Sequence, residues 1–361
     1  MPWSLFKRPS YEAVNVKYGS YAPKGPPSFK TLLQSSAMGQ AGSVSFQEKE
    51  LDVFRGSDQS ILNCEVSPNG KHLATCSKDS NIYVWRLPTD TEPGELLQTL
   101  EGHKEEVTSC SFSGSILASA SQSGGVILWH YQTGKRASRI DLHRGPVYDC
   151  LFAHDGQSFA TSSNDTTVRR FKIKTGAGEF VPGLDTKTLN GHRSAVCALA
   201  FTPDDTCIIS GSEDGKIKKW SRKEGQCLET QDSQYGPVRA IKFPTRCSHP
   251  DDIFATLAGS SIVIWNLRET MEIRLVLSNG DSSSRQGRNM QAICFVPDSS
   301  YLVGVSSDNY LTVWDPLGHN PSKPISVKQL NHQGYVQCCC FDPNGRYFIT
   351  ADSAGYTKIW Y

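Results

Sequence analysis

The sequence predicts an all-β fold, a seven-bladed β-propeller, and three observations lead to it. Residues 191–220 (GHRSAVCALAFTPDDTCIISGSEDGKIKKW) hold three short apolar runs separated by turn residues, the pattern of an antiparallel meander. The chain repeats this unit seven times, and each copy ends in an aromatic residue: Trp85, Trp129, Phe171, Trp220, Trp265, Trp314 and Trp360. Neighbouring aromatic residues are 42 to 49 positions apart, close to the period of a four-stranded blade. A meander this small cannot bury its faces alone, so the copies are expected to stack on one another.

The first 42 residues differ from the repeats. They carry five basic residues and one acid, a net charge of +4 within a whole-chain charge of +1, which leaves −3 for the repeat region. They are also rich in Pro, Gly, Ser and Tyr, a composition that does not build a core of its own. We therefore expect a flexible basic N-terminal arm over residues 1–42. Alternatively, its aromatic residues order it on a partner or on the rim of the propeller: Trp3, Phe6, Tyr11, Tyr18 and Tyr21.

Two signatures recur at the ends of the units: a histidine, with or without a preceding glycine, opens four of them, and a Trp-Asp dipeptide closes one. They are Gly102-His103, His143, Gly191-His192, His332 and Trp314-Asp315. In these features the chain resembles the WD40-repeat family. The resemblance implies a seven-bladed WD40 propeller over residues 43–361. It also implies that an N-terminal strand, residues 45–54, completes the last blade and closes the ring.

The resemblance further implies how each blade is arranged. Strands a to d run from the centre of the disc outward, so that the d–a and b–c turns lie on one face (the d–a face) and the a–b and c–d turns on the other (the a–b face). Each blade of the family can carry a hydrogen-bonded tetrad, and unit 4 matches it fully with His192, Ser210, Asp214 and Trp220. The other six units lack at least one member, unit 7 because Ala354 stands at the carboxylate position. Blade 4 is therefore expected to be the stiffest.

Cysteine usage indicates the compartment. Twelve cysteines occur in a chain whose N-terminus lacks the apolar segment of a secretory signal and which has no apolar run long enough for a membrane helix. This combination indicates a reducing compartment, the cytoplasm or the nucleus. The run Cys338-Cys339-Cys340 falls on one strand, where adjacent side chains point to opposite faces, so we do not expect it to bind a metal. We expect neither a metal nor another cofactor.

Motifs of the common catalytic classes are absent from the sequence. It contains no GxxxxGK[ST] phosphate loop, no GxSxG elbow, no HExxH pair and no CxxC spacing. The slightly acidic repeat region also lacks the basic footprint of a nucleic-acid-binding protein. We therefore expect no enzymatic activity, no direct nucleic-acid binding, no membrane association and a monomeric propeller.

The residues just after the histidine position of each unit are predicted to ring the central opening on the d–a face. Five residues in these connections are arginine or tyrosine, the types enriched at the energetic centres of interfaces. They are Arg144, Arg193, Tyr235, Arg288 and Tyr335. Together they suggest a surface for an acidic or aromatic-bearing peptide. The sequence thus predicts a non-catalytic scaffold or adaptor that binds proteins or peptides within an intracellular complex.

Two other functions stay open. Unit 5 ends in Trp265-Asn266-Leu267-Arg268, an ending that WD40 substrate receptors of cullin-RING ubiquitin ligases often carry. The resemblance therefore allows a substrate receptor, which loss of ligase-adaptor association on substitution of Arg268 would support. A subunit of an RNA-associated complex is the second alternative. Three long connections, residues 174–187, 244–252 and 278–289, are predicted as surface loops.

Overall fold

Seven four-stranded antiparallel sheets make up the structure, a computed structural model, as the repeats predict. It describes residues 50–141, 143–176, 179–245, 253–267, 270–277 and 289–361; for Glu50, residues 174–176 and residues 179–185 it describes the backbone alone. All regular structure within these ranges is β-strand. The described residues accordingly include no helix with the length and apolarity needed to span a membrane.

Each sheet is one blade, built from strands that follow one another in the chain. Blade 1 contains β2 (Ile61–Val66), β3 (His72–Ser77), β4 (Asn81–Arg86) and β5 (Glu95–Glu101). Blade 2 contains β6 (Val107–Ser113), β7 (Ile116–Ser121), β8 (Val126–His130) and β9 (Lys135–Ile140). Blade 3 contains β10 (Val147–Phe152), β11 (Ser158–Ser163), β12 (Val168–Gly176) and β13 (Glu179–Leu189).

The remaining blades continue in the same order. Blade 4 contains β14 (Val196–Phe201), β15 (Cys207–Ser212), β16 (Lys216–Ser221) and β17 (Cys227–Asp232). Blade 5 contains β18 (Val238–Lys242), β19 (Ile253–Ala258), β20 (Ser261–Asn266) and β21 (Glu272–Leu277). Blade 6 contains β22 (Met290–Phe295), β23 (Leu302–Ser306), β24 (Tyr310–Trp314) and β25 (Ser326–Gln329). Blade 7 contains β26 (Val336–Phe341), β27 (Phe348–Asp352) and β28 (Tyr356–Trp360), with β1 (Glu50–Arg55) as its fourth strand.

The first strand of every blade lies at the centre of the ring. β2 contacts β6 and β26, and the same contact between neighbours runs on through β10, β14, β18 and β22, so the seven a strands close a circle. Strands b, c and d follow outward in each sheet. Because neighbouring strands are antiparallel, the d–a and b–c connections share one face of the disc and the a–b and c–d connections share the other.

β1 closes the ring, which confirms the predicted closure by an N-terminal strand. It pairs antiparallel with β28 from Glu50 opposite Trp360 to Arg55 opposite Tyr356. The Phe54 ring stacks on Trp85 of blade 1 with 4.6 Å between ring centroids, so the same strand also joins blade 7 to blade 1. The strand lies slightly later than predicted, and residues 45–49 and the predicted arm, residues 1–42, fall outside the described residues.

The apolar core lies between the blades. Seven clusters of buried side chains each combine residues of two neighbouring blades. The cluster between blades 7 and 1, for example, joins Phe54 and Ile359 to Leu73 and Trp85. Since every blade buries both of its faces in this way, the disc forms a rigid support for the connections on its two faces.

A β-bulge interrupts the pairing of strands a and b in all seven blades, at the second residue of strand a. A bulge leaves the extra residue unpaired and redirects its side chain. The seven bulged residues therefore form a ring near the d–a ends of the inner strands. They are Leu62, Thr108, Tyr148, Cys197, Arg239, Gln291 and Gln337.

The prediction of a loop over residues 174–187 is wrong. β12 and β13 extend as a paired hairpin beyond the usual length of a blade strand, with Lys174 opposite Val181 and Gly176 opposite Glu179. Adjacent Phe180 and Val181 are strong strand formers, which favours continued pairing over an irregular loop. Of the other two predicted loops, residues 246–252 and 278–288 lie outside the described residues.

Candidate functional site

A chain of hydrogen bonds links strands a to c of blade 4 through the four residues of the tetrad. The Trp220 indole N–H donates to Ser210 Oγ at 2.8 Å, and Ser210 Oγ lies 2.8 Å from His192 Nε2. His192 Nδ1 lies 3.3 Å from Asp214 Oδ2. A carboxylate accepts and an indole donates, so the order of donors is Trp220, Ser210, His192 and Asp214, with the imidazole proton on Nδ1.

The electrostatics of blade 4 agree with a neutral imidazole. Burial lowers the pKa of His192, although the Asp214 carboxylate raises it in part. Burial raises the pKa of Asp214, but the backbone N–H groups of Arg193 and Lys216 and the contact with His192 outweigh this effect, and the net direction is downward. Asp214 therefore stays ionised and His192 uncharged at neutral pH.

Blade 7 has a complete tetrad, which corrects the prediction that six of the seven are incomplete. His332 Nε2 lies 2.7 Å from Thr350 Oγ1, to which the Trp360 indole donates at 2.8 Å. The carboxylate comes from Asp352, whose Oδ2 lies 3.0 Å from His332 Nδ1. Asp352 is the last residue of β27 and stands two positions before Ala354, where the repeat register places the acid. Its carboxylate reaches the same ring nitrogen from the end of the strand, with no exposed side-chain surface.

Blades 2 and 3 have shortened versions of the same chain. In blade 3, His143 contacts Thr161 at 2.7 Å and Asp165 at 2.9 Å, but Phe171 cannot donate to the hydroxyl. In blade 2, His103 Nε2 lies 2.7 Å from Ser119 Oγ, to which the Trp129 indole also donates. Ser123 replaces the carboxylate there, and the buried His103 Nδ1 has no hydrogen-bond partner.

Blades 1, 5 and 6 keep still less of this chain of hydrogen bonds. In blade 1 the Trp85 indole donates to Thr75 Oγ1 at 3.1 Å, and in blade 5 the Trp265 indole donates to Thr256 Oγ1 at 3.0 Å. In blade 6 the buried Trp314 Nε1 has no partner, because Gly304 takes the place of the hydroxyl residue.

The tetrad carboxylates also hold the backbone of the d–a face. Asp165 Oδ2 accepts from the N–H of Arg144 at 3.1 Å, and Asp214 Oδ2 accepts from the N–H of Arg193 at 2.8 Å. Serine hydroxyls do the same elsewhere: the N–H of Tyr235 donates to Ser233 Oγ and that of Tyr335 to Ser353 Oγ. The backbone under each of these four predicted site residues is therefore fixed by a side-chain hydrogen bond.

The side chains of the same four residues point into solvent. Arg144 and Arg193 are exposed, and Tyr235 and Tyr335 are among the exposed large hydrophobic residues, 65% of Tyr335 being accessible. They lie in the d–a connections of blades 3, 4, 5 and 7, so the topology places all four on one face. The fifth predicted residue, Arg288, lies outside the described residues, as does Arg268 of the ligase-receptor alternative.

Arg239 belongs to the same face and was missed from the sequence. It is the bulged second residue of β18 and is exposed. An alternating pattern assigns every residue of a strand to one face or the other, and it does not reveal a bulge that redirects one side chain. The recurrence of bulges at one position in seven blades is visible only in the paired strands.

A family comparison agrees with this architecture. The sequence model of the WD domain, G-beta repeat, matches residues 48–86, 94–130, 134–172, 183–221, 285–315 and 324–361, more than half of the chain. The chain belongs to the WD40-repeat family. The match omits blade 5 of this WD40 propeller, where Gln234 and Gly259 stand near the histidine and carboxylate positions, yet the blade forms all four strands.

Similar WD40 proteins carry diverse names. Human apoptotic protease-activating factor 1 is 28% identical over 72% of this chain and 20% of its own length. The WD repeat-containing protein SL1-17 of Schistosoma mansoni is 28% identical over 50% of this chain and 57% of its own length. The guanine nucleotide-binding protein subunit beta of Zea mays is 24% identical over 72% of this chain and 70% of its own length. The chain thus spans a fifth of the first relative and just over half of the second.

The described cysteines form no metal site. Cys338 and Cys340 pack between blades 7 and 1, and Cys339 packs between blades 6 and 7, so neighbouring thiols face opposite sides of β26. No group of three or more His, Cys, Asp or Glu side chains within the described ranges is arranged to hold a metal ion. The three thiols of β26 serve as small packing groups between neighbouring blades.

Proposed function

We propose that this WD40 propeller is a non-catalytic scaffold or adaptor that binds proteins or peptides on its d–a face, within a complex of the cytoplasm or nucleus. The observation that carries the proposal is the combination of fixed backbone and exposed side chain at Arg144, Arg193, Tyr235 and Tyr335. A partner that binds residues held in this way loses less conformational entropy than one that must order a mobile loop. Arginine and tyrosine also supply the contact types that dominate binding energy at interfaces.

The relatives support the same class of function without specifying a partner. They include a guanine nucleotide-binding protein subunit beta and an apoptotic protease-activating factor, which are similar to this chain over its repeats. A common scaffold with different roles places specificity on the connections between strands. The free thiols of the described cysteines support the proposed reducing compartment.

The proposal is tested by affinity capture from cells with the full chain and a variant carrying Arg144→Glu, Arg193→Glu and Tyr335→Ser. The matched control carries Lys71→Glu and Lys223→Glu, two charge reversals at exposed positions in an a–b and a c–d connection on the opposite face. Both variants are first shown to melt like the unmodified protein. Partners lost from the first variant and kept by the control support the d–a face, whereas identical partner lists for all three proteins contradict it.

A further inference from the structure

Cations on the d–a face fall into two groups. Over blades 1 and 7, Arg55 pairs with Asp58 at 2.7 Å, and between blades 1 and 2, Lys78 pairs with Glu106 at 3.8 Å. Over blades 3 to 5, no hydrogen bond or ion pair to the guanidinium groups of Arg144, Arg193 or Arg239 occurs in the part of the chain that the structure describes. Blades 3 to 5 therefore present three guanidinium groups that have no partner among the described residues, although Lys216 of blade 4 pairs with Asp232 at 2.5 Å on the same face.

The unpaired arginines lie on three consecutive blades, two of them at equivalent positions. Arg144 and Arg193 each follow the tetrad histidine, and Arg239 lies on the next blade at the bulge of its inner strand. Between Arg193 and Arg239 lies the bulged Cys197. Burial raises the pKa of Cys197 to about 12, with Glu213 adding to the rise and Arg239 reducing it, so both charges act at this part of the rim.

Glu213 is one acidic neighbour of these three arginines, and no ion pair joins it to an arginine among the described residues. The structure gives it a contact with Ser194 Oγ at 3.4 Å. The tetrad carboxylates Asp165 and Asp214 also lie beside the arginines, but their oxygens accept from imidazole, threonine and backbone N–H groups. Among the described residues, none of the three guanidinium groups is paired with a carboxylate. A guanidinium group presents a planar fork of donors that matches a carboxylate or a phosphate in two parallel hydrogen bonds. The chemistry that fits these three arginines is therefore an anionic group that brings more than one acceptor oxygen.

We propose that Arg144, Arg193 and Arg239, the arginine arc, bind an anionic peptide segment of a partner, with phosphorylated serine or threonine or with clustered aspartate and glutamate. Tyr235, in the d–a connection before Arg239, provides an apolar surface beside the anion. The inference rests on the proposed function and specifies the chemistry of its partner. It also adds Arg239 to the proposed binding residues of the d–a face. The paired charges over blades 1 and 2 are not expected to contact the anion.

The test uses four pools of immobilised peptides with random flanking residues and two fixed positions three residues apart. The fixed residues are phosphoserine in the first pool, glutamate in the second, serine in the third and lysine in the fourth. The full chain is compared with Arg144→Ala/Arg193→Ala/Arg239→Ala and with Lys71→Ala/Lys135→Ala/Lys223→Ala, which removes the same charge from the a–b face. Thermal melting establishes that all three proteins are folded.

We expect the full chain to be retained on the phosphoserine or glutamate pool about tenfold more than on the serine pool, and less as salt is raised. The arc variant loses this preference, and the control variant keeps it. Retention on both anionic pools identifies acidic segments in general, and retention on the phosphoserine pool alone identifies phosphorylated ones. Equal retention on all pools, or an arc variant that binds like the unmodified protein, overturns the inference. If capture from cells still depends on the d–a face in that case, the proposed function stands without it.

Discussion

Asp214 holds three donors with one carboxylate. Its Oδ2 accepts from His192 Nδ1 and from the N–H of Arg193, and its Oδ1 accepts from the N–H of Lys216 at 2.9 Å. Asp214→Ala leaves all three donors unsatisfied at a partly buried site, so we expect the free energy of unfolding to fall by about 2–3 kcal/mol. Urea denaturation measures this loss.

The matched substitution is Ser123→Ala in blade 2. Ser123 stands at the carboxylate position but leaves His103 Nδ1 unpaired, and its hydroxyl contacts Ser121 Oγ at 3.1 Å. Removing it takes away one solvent-accessible contact, and we expect a cost below about 0.5 kcal/mol. Equal costs for the two substitutions would show that the tetrad carboxylate does not stabilise its blade.

A second prediction at the residue scale concerns His103, where a substitution is expected to stabilise the protein. Burial lowers the pKa of His103 to about 4, with the charge of Arg139 adding to the effect. Ser123→Asp places an acceptor where Asp214 stands in blade 4, so we expect the pKa of His103 to rise and the protein to gain about 1 kcal/mol at pH 7. An NMR titration of His103 and urea denaturation measure the two effects.

The pH dependence of this variant follows from the same shift. A histidine with a folded pKa below its unfolded value binds fewer protons when folded, so the native protein loses stability as pH falls from about 6.5 to about 4. Ser123→Asp narrows the difference between the folded and unfolded pKa of His103. The loss of stability between about pH 6.5 and about pH 4 should therefore be smaller in the variant. An unchanged His103 titration in the variant would mean that the new carboxylate does not reach the ring.

At the scale of elements, β1 closes the ring as the fourth strand of blade 7. Its removal exposes the edge of β28, uncovers Trp85 and frees the Gly94 N–H that donates to Asp52 Oδ2 at 3.0 Å. The loss of the buried Phe54 alone costs about 3–5 kcal/mol. Deletion of residues 1–55 should therefore lower the melting temperature by about 10 °C or more.

Deletion of residues 1–42 is the control for this truncation, because it removes the predicted arm and leaves the strand. Differential scanning calorimetry of both proteins beside the full chain separates the two contributions. We expect the shorter deletion to melt like the full chain. A deletion of residues 1–55 that melted as high as the full chain would contradict closure by β1.

Sequence and structure agree most closely where a repeated pattern meets a regular strand. The period of the aromatic residues predicted seven blades, and the three-stranded last unit predicted that an N-terminal strand completes it. The pattern failed where the backbone departs from the repeat: Asp352 supplies a carboxylate two positions early, and Arg239 turns at a bulge. Both departures depend on which strand lies opposite, and a single sequence does not record that pairing.

At the scale of the whole molecule, the seven inner strands surround a channel that holds opposite charges. Glu65 of blade 1 accepts from the N–H of Phe112 at 3.0 Å, and Asp149 of blade 3 accepts from Ser109 Oγ at 2.8 Å and from the N–H of Leu199 at 3.0 Å. These two carboxylates bridge neighbouring blades. Lys242 lies on the inner strand of blade 5 and keeps an exposed side chain. Desolvation lowers its pKa, but the charges of Asp149 and Glu65 outweigh this effect and the net direction is upward.

Glu65 makes the stability of the whole ring depend on pH. Burial raises the pKa of Glu65 to about 7, although the Phe112 N–H and the charge of Lys242 oppose the rise. The folded protein therefore binds a proton that the unfolded chain has released, and its stability falls as pH rises from about 4.5 to about 7. The side chain retains some exposure to the channel, and water there screens part of the effect.

Glu65→Gln removes this titration and keeps an oxygen that can accept from the Phe112 N–H. We expect the variant to match the protein near pH 5 and to exceed its free energy of unfolding by about 1–2 kcal/mol at pH 8, since one pKa unit corresponds to about 1.4 kcal/mol before screening. Urea denaturation at half-unit steps of pH measures the difference, with Glu105→Gln on the exposed d–a face as the control for loss of a surface charge. A difference between Glu65→Gln and the protein that stays constant across this range would show that Glu65 keeps its ordinary pKa and does not make the stability of the ring depend on pH.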